Sequence, residues 1–294
     1  MTQPLIRSIS DTAHWVAYHR ATESERPDAI FRDPYARRLA GERGQLVARE
    51  LHQNAWAIAI RTYLFDHMLL ELLSRNAIDM VVNLAAGMDS RPYRLELPSS
   101  LRWVEIDLPE IIDDKQKILS AETPHCQLEI ITQHLADQAQ RRVLFARLNE
   151  RAQQIALVSE GLLVYLDEEK VTSLAADLRA QPHFTYWLVE VVSPRVLDWI
   201  NRKWQRHFQA ANAQMRFAPG DWRRFYSDRG WEVVEFRDMA KTASELRREP
   251  GMMKFFRIIG QMFPAWGQKE RKAWESGVAL LRRSGSISGE ASGE

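Results

Sequence analysis

The sequence predicts a three-layer α/β sandwich with a helical cap in front of it, and two observations carry that reading. From Asp79 onward, short apolar or β-branched runs alternate with stretches of helical length. That alternation is the signature of βαβ units building a mostly parallel sheet through right-handed crossovers. Before Asp79 the chain shows helical periodicity instead. With 294 residues, 45% apolar and 27% charged, there is ample material for one large core.

The elements follow in order. Ser10 and Asp11 can cap a helix reaching Ser24, where ESERPD breaks it. Asp33-Pro34 reads as a second helix start, with Gly41 near its end. A long helix follows, with Leu51, Ala55, Ile58, Phe65, Met68 and Leu72 on one face and a gap at Thr62. The strands are MVVNLA, RWVEID, CQLEII, QIALVSE and FTYWLVEVV, separated by helices over Pro109–Leu119, Ala136–Glu150 and Asp167–Ala180. Helices over Pro194–Ala211 and Pro219–Gly230 lead to the strand WEVVEF, and SGVALLRR reads as a last strand, antiparallel at or near an edge. Residues 1–75 thus form the cap and lead-in helix, 76–283 the α/β domain, and the Gly/Ser-rich 284–294 a disordered tail.

Composition narrows the function. Lys and Arg number 40 against 39 Asp and Glu, a net charge of +1 that provides no broad phosphate-binding field. A single cysteine, Cys126, excludes an internal disulfide framework, and His14, His19 and His183 have no metal-ligand spacing. No apolar run is long enough for a bilayer and the first residues lack the core of a secretory signal, so the chain reads as cytoplasmic. The pairs Arg141-Arg142, Arg247-Arg248 and Arg282-Arg283 read as solvated surface.

Ligands of such sheets bind beyond the carboxyl ends of the strands. After the first strand, Asn83-Leu84-Ala85-Ala86-Gly87 offers small residues that admit a ligand to the backbone, without a full dinucleotide or P-loop glycine pattern. Asp107 lies 20 residues beyond Gly87, the spacing of a carboxylate that accepts ribose hydroxyls; a plain helix cap is the competing use. After the third strand, His134 and Leu135 stand where an adenine edge could be read, and Glu160 follows the fourth strand as either a site carboxylate or half of a buried ion pair. Arg61 is the lone Arg or Lys between Asn54 and Ser74; it can clamp a carboxylate or simply reach solvent. Trp15 and Tyr18 can line an apolar pocket or pack as core.

The segments TAHWVAYHRATESERPDAIFRDPYARRLAG, RTYLFDHML, VVNLAAGMDSRPYRL, WVEIDLPEIIDDKQKIL and VSEGLLVYL together resemble the leucine carboxyl methyltransferase family, and its bacterial, polyketide O-methyltransferase-like subgroup in particular. The resemblance implies a Rossmann-like class I methyltransferase fold, S-adenosylmethionine as cofactor and a small-molecule acceptor, with neither nucleic acid nor membrane as partner. It implies that Arg61 holds the methionine carboxylate, Ala85 and Gly87 face the methionyl part, Asp107 takes the ribose, His134 and Leu135 flank the adenine, Glu160 meets the amine and Tyr165 borders the acceptor. Two positions depart from the family pattern. Ala85 replaces a usual glycine, a mild change if φ stays negative, and His134 replaces an acidic acceptor for the adenine amino group.

A carboxylate acceptor is already ionised at neutral pH and requires no general base, whereas a hydroxyl requires one. No dedicated base stands out, which favours carboxylate O-methylation. The competing readings are a nicotinamide-dependent oxidoreductase on the same sheet and a cofactor-binding protein without catalysis. The aromatic segment before the first strand is placed to close over the strand ends as a lid.

Overall fold

A computed structural model describes residues 9–51, 56–76, 78–205, 214–251, 254 and 272–285. Three helices come first: α1 (Ile9–Ser24), α2 (Ala36–Leu51) and α3 (Trp56–Arg75). The α/β part then runs β1 (Met80–Leu84), α4 (Arg91–Arg94), β2 (Arg102–Asp107), α5 (Pro109–Ile118), β3 (Gln127–Thr132), α6 (Gln138–Asn149), β4 (Ile155–Ser159), α7 (Glu168–Arg179), β5 (Phe184–Val191) and α8 (Pro194–Lys203). The described chain ends with α9 (Trp222–Ser227), β6 (Trp231–Asp238), α10 (Met239–Glu245) and β7 (Gly277–Arg283).

The seven strands lie in the order β3-β2-β1-β4-β5-β7-β6. The first five are parallel to their neighbours, and β7 runs antiparallel between β5 and β6. The expected sandwich and its antiparallel last strand are therefore present. The chain order reverses between β1 and β4, so their carboxyl ends splay apart and leave a crevice.

Burial on both faces explains why the central strands β1 and β4 read as largely apolar runs. On β1, Met80, Val82 and Leu84 enter one core while Val81 enters the other; β4 repeats this with Ile155 and Leu157 against Ala156 and Val158. The first core also holds Trp187 and Trp231, edge to face at 5.3 Å, and Trp187 donates its indole N–H to Ser159 Oγ at 2.9 Å. That bond satisfies a buried donor which would otherwise carry a desolvation cost.

The helical lead-in departs from expectation at several points. Leu51 ends α2 and does not belong to the long helix, and Ala55 lies outside the described residues. Asp11 sits inside the first turn of α1, where it pairs with Arg43 across to α2, so it is not the cap. Gly41, at φ +54, breaks α2 into two helical pieces. The gap at Thr62 is no gap: its side chain is fully buried and its hydroxyl has no partner among the described residues. α3 is covered on two sides, with Ile58 in the cap core and Leu64, Met68 and Leu72 on the sheet, so its buried face is wider than one stripe. α1 and α2 meet closely at Gly44, where a Cβ would lie 2.3 Å from the His14 carbonyl oxygen.

Two arginines expected at the surface are buried instead. Arg141 inserts against Asp177, and Arg248 is held by Glu23 at 3.0 Å. Of the expected tail, Ser284 and Gly285 form a turn tied to Gly230, and the remainder lies outside the described residues, as does the expected end of the Pro194 helix. Among the described residues no helix is long and apolar enough to cross a membrane.

Candidate functional site

A cavity of about 580 Å³ opens at the crevice between β1 and β4. Its floor is the strand-to-helix turns of β1, β2, β3 and β4, and its roof includes Thr12, Ala13, Trp15 and Val16 of α1. Arg61, Ala85, Gly87, Asp107, His134, Leu135, Glu160, Tyr165 and Trp15 all line it. Tyr18 departs from the expectation: it is not among the lining residues, and its ring packs under the Arg37 guanidinium at 4.8 Å. Trp15, three residues before it on α1, does line the crevice.

The turn after β1 is held in a left-handed conformation twice, at Ala85 (φ +57) and Gly87 (φ +54). The condition under which Ala85 was a mild replacement for glycine therefore fails. An L-residue there costs roughly 1–2 kcal/mol of steric strain, offset in part by its lower entropy when unfolded. Ala85→Gly is expected to raise stability by about 0.5–1 kcal/mol, read as a higher denaturation midpoint in urea. A lower midpoint would mean the alanine methyl makes packing contacts that outweigh the strain.

Gly87 donates its backbone N–H to Asp107 Oδ2 at 2.6 Å, and Leu108 donates to Oδ1 at 2.7 Å. These bonds fix the carboxylate plane at the mouth of the turn and leave lone pairs on both oxygens. Burial pushes the Asp107 carboxyl above its ordinary value, opposed by the two backbone donors.

Behind the turn lies a chain of buried ion pairs. Arg91 donates to Asp66 at 2.7 Å, to Asp89 at 3.1 Å and to Glu160 at 2.7 Å. Arg94 grips Asp66 from its other side at 2.7 and 2.8 Å, and Arg20 of α1 reaches Asp33 at 2.9 Å. Arg61 donates to Glu160 at 3.0 Å and to both oxygens of Glu190 at 3.1 and 3.2 Å. Burial alone would raise Glu160, but Arg91 and Arg61 hold it below the usual carboxylate range. Asp89 is held down at about 2: burial raises it, and Arg91, Lys115 and Arg94 more than compensate. Four arginines thus face five carboxylates, Asp33, Asp66, Asp89, Glu160 and Glu190, leaving a negative balance before Asp107 is counted. Such a cluster favours a ligand with net positive charge.

His134 is exposed, and its Nδ1 accepts the Ala136 N–H at 3.2 Å. A backbone amide can only donate, so the remaining proton of the neutral ring sits on Nε2. His134 therefore presents a donor to the cavity, not the acceptor that an adenine amino group needs, and the imidazole instead closes its own turn as a short polar side chain would. Leu135 is half-buried against the core, which leaves its side chain as an apolar wall.

The model of the family described as leucine carboxyl methyltransferase matches residues 13–179, more than half of the chain and every turn described above except the Glu190 strand. The chain belongs to the leucine carboxyl methyltransferase family. One bacterial relative, from Streptomyces coelicolor, is 35% identical over 183 residues, covering 58% of this chain and 64% of its own length. The match therefore spans just under two thirds of that relative. Another, from Mycobacterium sp. strain KMS, is 28% identical over 313 residues, covering 96% of this chain and 98% of its own. Both carry the name "Putative S-adenosyl-L-methionine-dependent methyltransferase". Among solved structures, a duf574 family protein from Streptomyces avermitilis superposes with a TM-score of 0.60 at 16% identity, covering 92% of this chain and 97% of that one. At that identity the likeness shows a shared fold.

Sequence reasoning missed several residues of this leucine carboxyl methyltransferase family member's site: Arg91, Asp89, Arg20 and Glu190. Arg91 and Asp89 sit in the segment MDSRPYRL, where Pro92 reads as turn punctuation and hides a buried guanidinium. Glu190 had a visible signal, a carboxylate inside the apolar run FTYWLVEVV, which requires a cation to face it.

Proposed function

We propose that this protein transfers a methyl group from S-adenosylmethionine to an oxygen of a small apolar molecule, a carboxylate before a hydroxyl. The observation that carries the reading is the Gly87–Asp107 contact, which sets a glycine amide and a buried carboxylate at the strand ends of a cavity of about 580 Å³. The donor set fits this cofactor. Its sulfonium, ammonium and carboxylate sum to one positive charge, which complements the negative balance of the ion-pair cluster. When bound, it supplies a methyl group on a cationic sulfur whose departure needs no proton.

The chain's residues bind and orient. The free lone pairs of Asp107 would accept both ribose hydroxyls, Glu160 would face the ammonium, and Arg61 would offer its open Nη2 to the carboxylate. Leu108, Ile111 and Leu135, which line the cavity, would bracket the base. Trp15, Val16, Ile58, Ile200 and Trp204 form an apolar chamber for the acceptor, with Tyr165 at its border. Exclusion of water by these side chains would strip the acceptor oxygen of its hydration, and their walls would orient the bound acceptor. Glu160 and Glu190 are both engaged by Arg61, so neither is a ready base, which supports an acceptor that arrives ionised.

α1 serves as more than a loose flap. It covers the cavity while Arg20 anchors it to Asp33 and His14 Nδ1 meets the Leu39 carbonyl oxygen at 2.8 Å. The test is calorimetry with S-adenosylhomocysteine, then a labelled methyl donor with a panel of small apolar carboxylic acids and the matching alcohols. Label released by mild alkali is the expected result, because esters hydrolyse and ethers do not. An NADH-induced change in the near-ultraviolet spectrum with no S-adenosylhomocysteine binding would support an oxidoreductase. Tight cofactor binding with no label on any acid or alcohol would support a protein without catalysis, and label on RNA or DNA would overturn the acceptor class.

A further inference from the structure

We propose that Glu190 is a positioning residue: it holds Arg61 so that one guanidinium nitrogen stays open toward the carboxylate at the amino-acid end of the cofactor. This rests on the cofactor reading above. A guanidinium has three donor nitrogens, and in Arg61 two are taken. Nε donates to Glu160 Oε1 at 3.0 Å, and Nη1 donates to Glu190 Oε1 and Oε2 at 3.2 and 3.1 Å. Nη2 has no hydrogen-bond partner among the described residues.

Glu190 is itself fixed. Its Oε2 also accepts the Gly161 N–H at 3.1 Å, so β5 is tied to the turn that follows β4. Gly161 sits at φ +69, and a Cβ there would lie 3.6 Å from Nη1 and 3.8 Å from Nη2, in ordinary contact with the guanidinium. Carboxylates from two neighbouring strands thus lock the plane of a side chain delivered by α3. Without the Glu190 charge, Arg61 would be drawn to Glu160 alone. The strongest arrangement of that pair is bidentate through Nε and Nη2, which closes the open nitrogen and pulls Glu160 from the position set by Arg91. The same substitution would therefore disturb the sites for both the carboxylate and the ammonium, and leave the nucleoside contacts of Gly87 and Asp107 alone.

The test compares two probes, S-adenosylhomocysteine and 5′-methylthioadenosine, the second of which shares the nucleoside and thioether but lacks the amino-acid end. Glu190→Gln keeps the shape and removes the charge. It is expected to weaken S-adenosylhomocysteine binding about tenfold while changing methylthioadenosine binding less than about twofold. Glu190→Asp, which restores the charge on a shorter arm, is expected to recover part of the lost affinity. Unchanged or tighter S-adenosylhomocysteine binding in Glu190→Gln would overturn the inference, and so would an equal loss for both probes, the mark of a general structural fault. Failure of the unaltered protein to bind S-adenosylhomocysteine would overturn the cofactor reading and this inference with it.

Discussion

Arg91→Met is expected to destabilise the protein by about 3–5 kcal/mol, the scale for removing one partner from a buried ion-pair cluster. The side chain is 3% exposed and spans three carboxylates on three separate elements. After the change Asp66 retains Arg94 and Glu160 retains Arg61, but Asp89 keeps as hydrogen-bond donors only the Asn83 amide and the backbone N–H of residue 91, with Lys115 and Arg94 acting at longer range. The cost is the burial of a carboxylate stripped of its guanidinium. It also carries a pH signature. Asp89 is held at about 2 in the folded protein against an ordinary 3.8, so its contribution is present in full above the ordinary value and is lost as pH falls toward the folded one. The deficit of the variant should therefore be largest near neutrality and should narrow in acid. Urea denaturation at neutral pH and again at pH 4 and below measures both; a deficit under about 1 kcal/mol would show that the cluster contributes little net stability.

Asp107→Ala is expected to weaken S-adenosylhomocysteine binding by about 1.5–3 kcal/mol, the scale of charge-assisted hydrogen bonds to a carboxylate. Two losses combine. The ribose hydroxyls lose their acceptor, and the Gly87 and Leu108 amides lose the group that holds the turn in place. Asp107→Asn is expected to disturb both as well, because its NH₂ can accept neither from the backbone donor it faces nor from a ribose hydroxyl. Calorimetry on folded variants is the measurement, and unchanged affinity in Asp107→Ala would remove the ribose role.

The sheet was largely legible because its central strands β1, β2 and β4 are buried on both faces, and short, largely apolar runs of that kind do not read as amphipathic helices. The helical lead-in was less so: α3 is covered by both cap and sheet, which erased the single-stripe pattern and made Thr62 look like a gap. For the site, Gly87 and Asp107 were readable since their relation depends on spacing along the chain. The partners of Arg61 were not, because Glu160 and Glu190 lie 99 and 129 residues away and only the fold brings them together. His134 was located but its hydrogen-bonding sense was hidden, since that depends on a local turn that the Ala136 amide closes.

The place of β7 between β5 and β6 bears on how the chain must be made. As the polypeptide leaves a ribosome, β5 and β6 emerge long before Gly277, and neither can pair with the other in the finished arrangement. Until the last strand arrives β5 keeps one edge of open amides and carbonyls and β6 keeps both, the kind of exposed edge that invites association between nascent chains. The parallel half of the sheet can assemble during synthesis, whereas the other half waits for a segment of seven residues. Emergence of β7, rather than collapse of the parallel core, then times completion of the sheet.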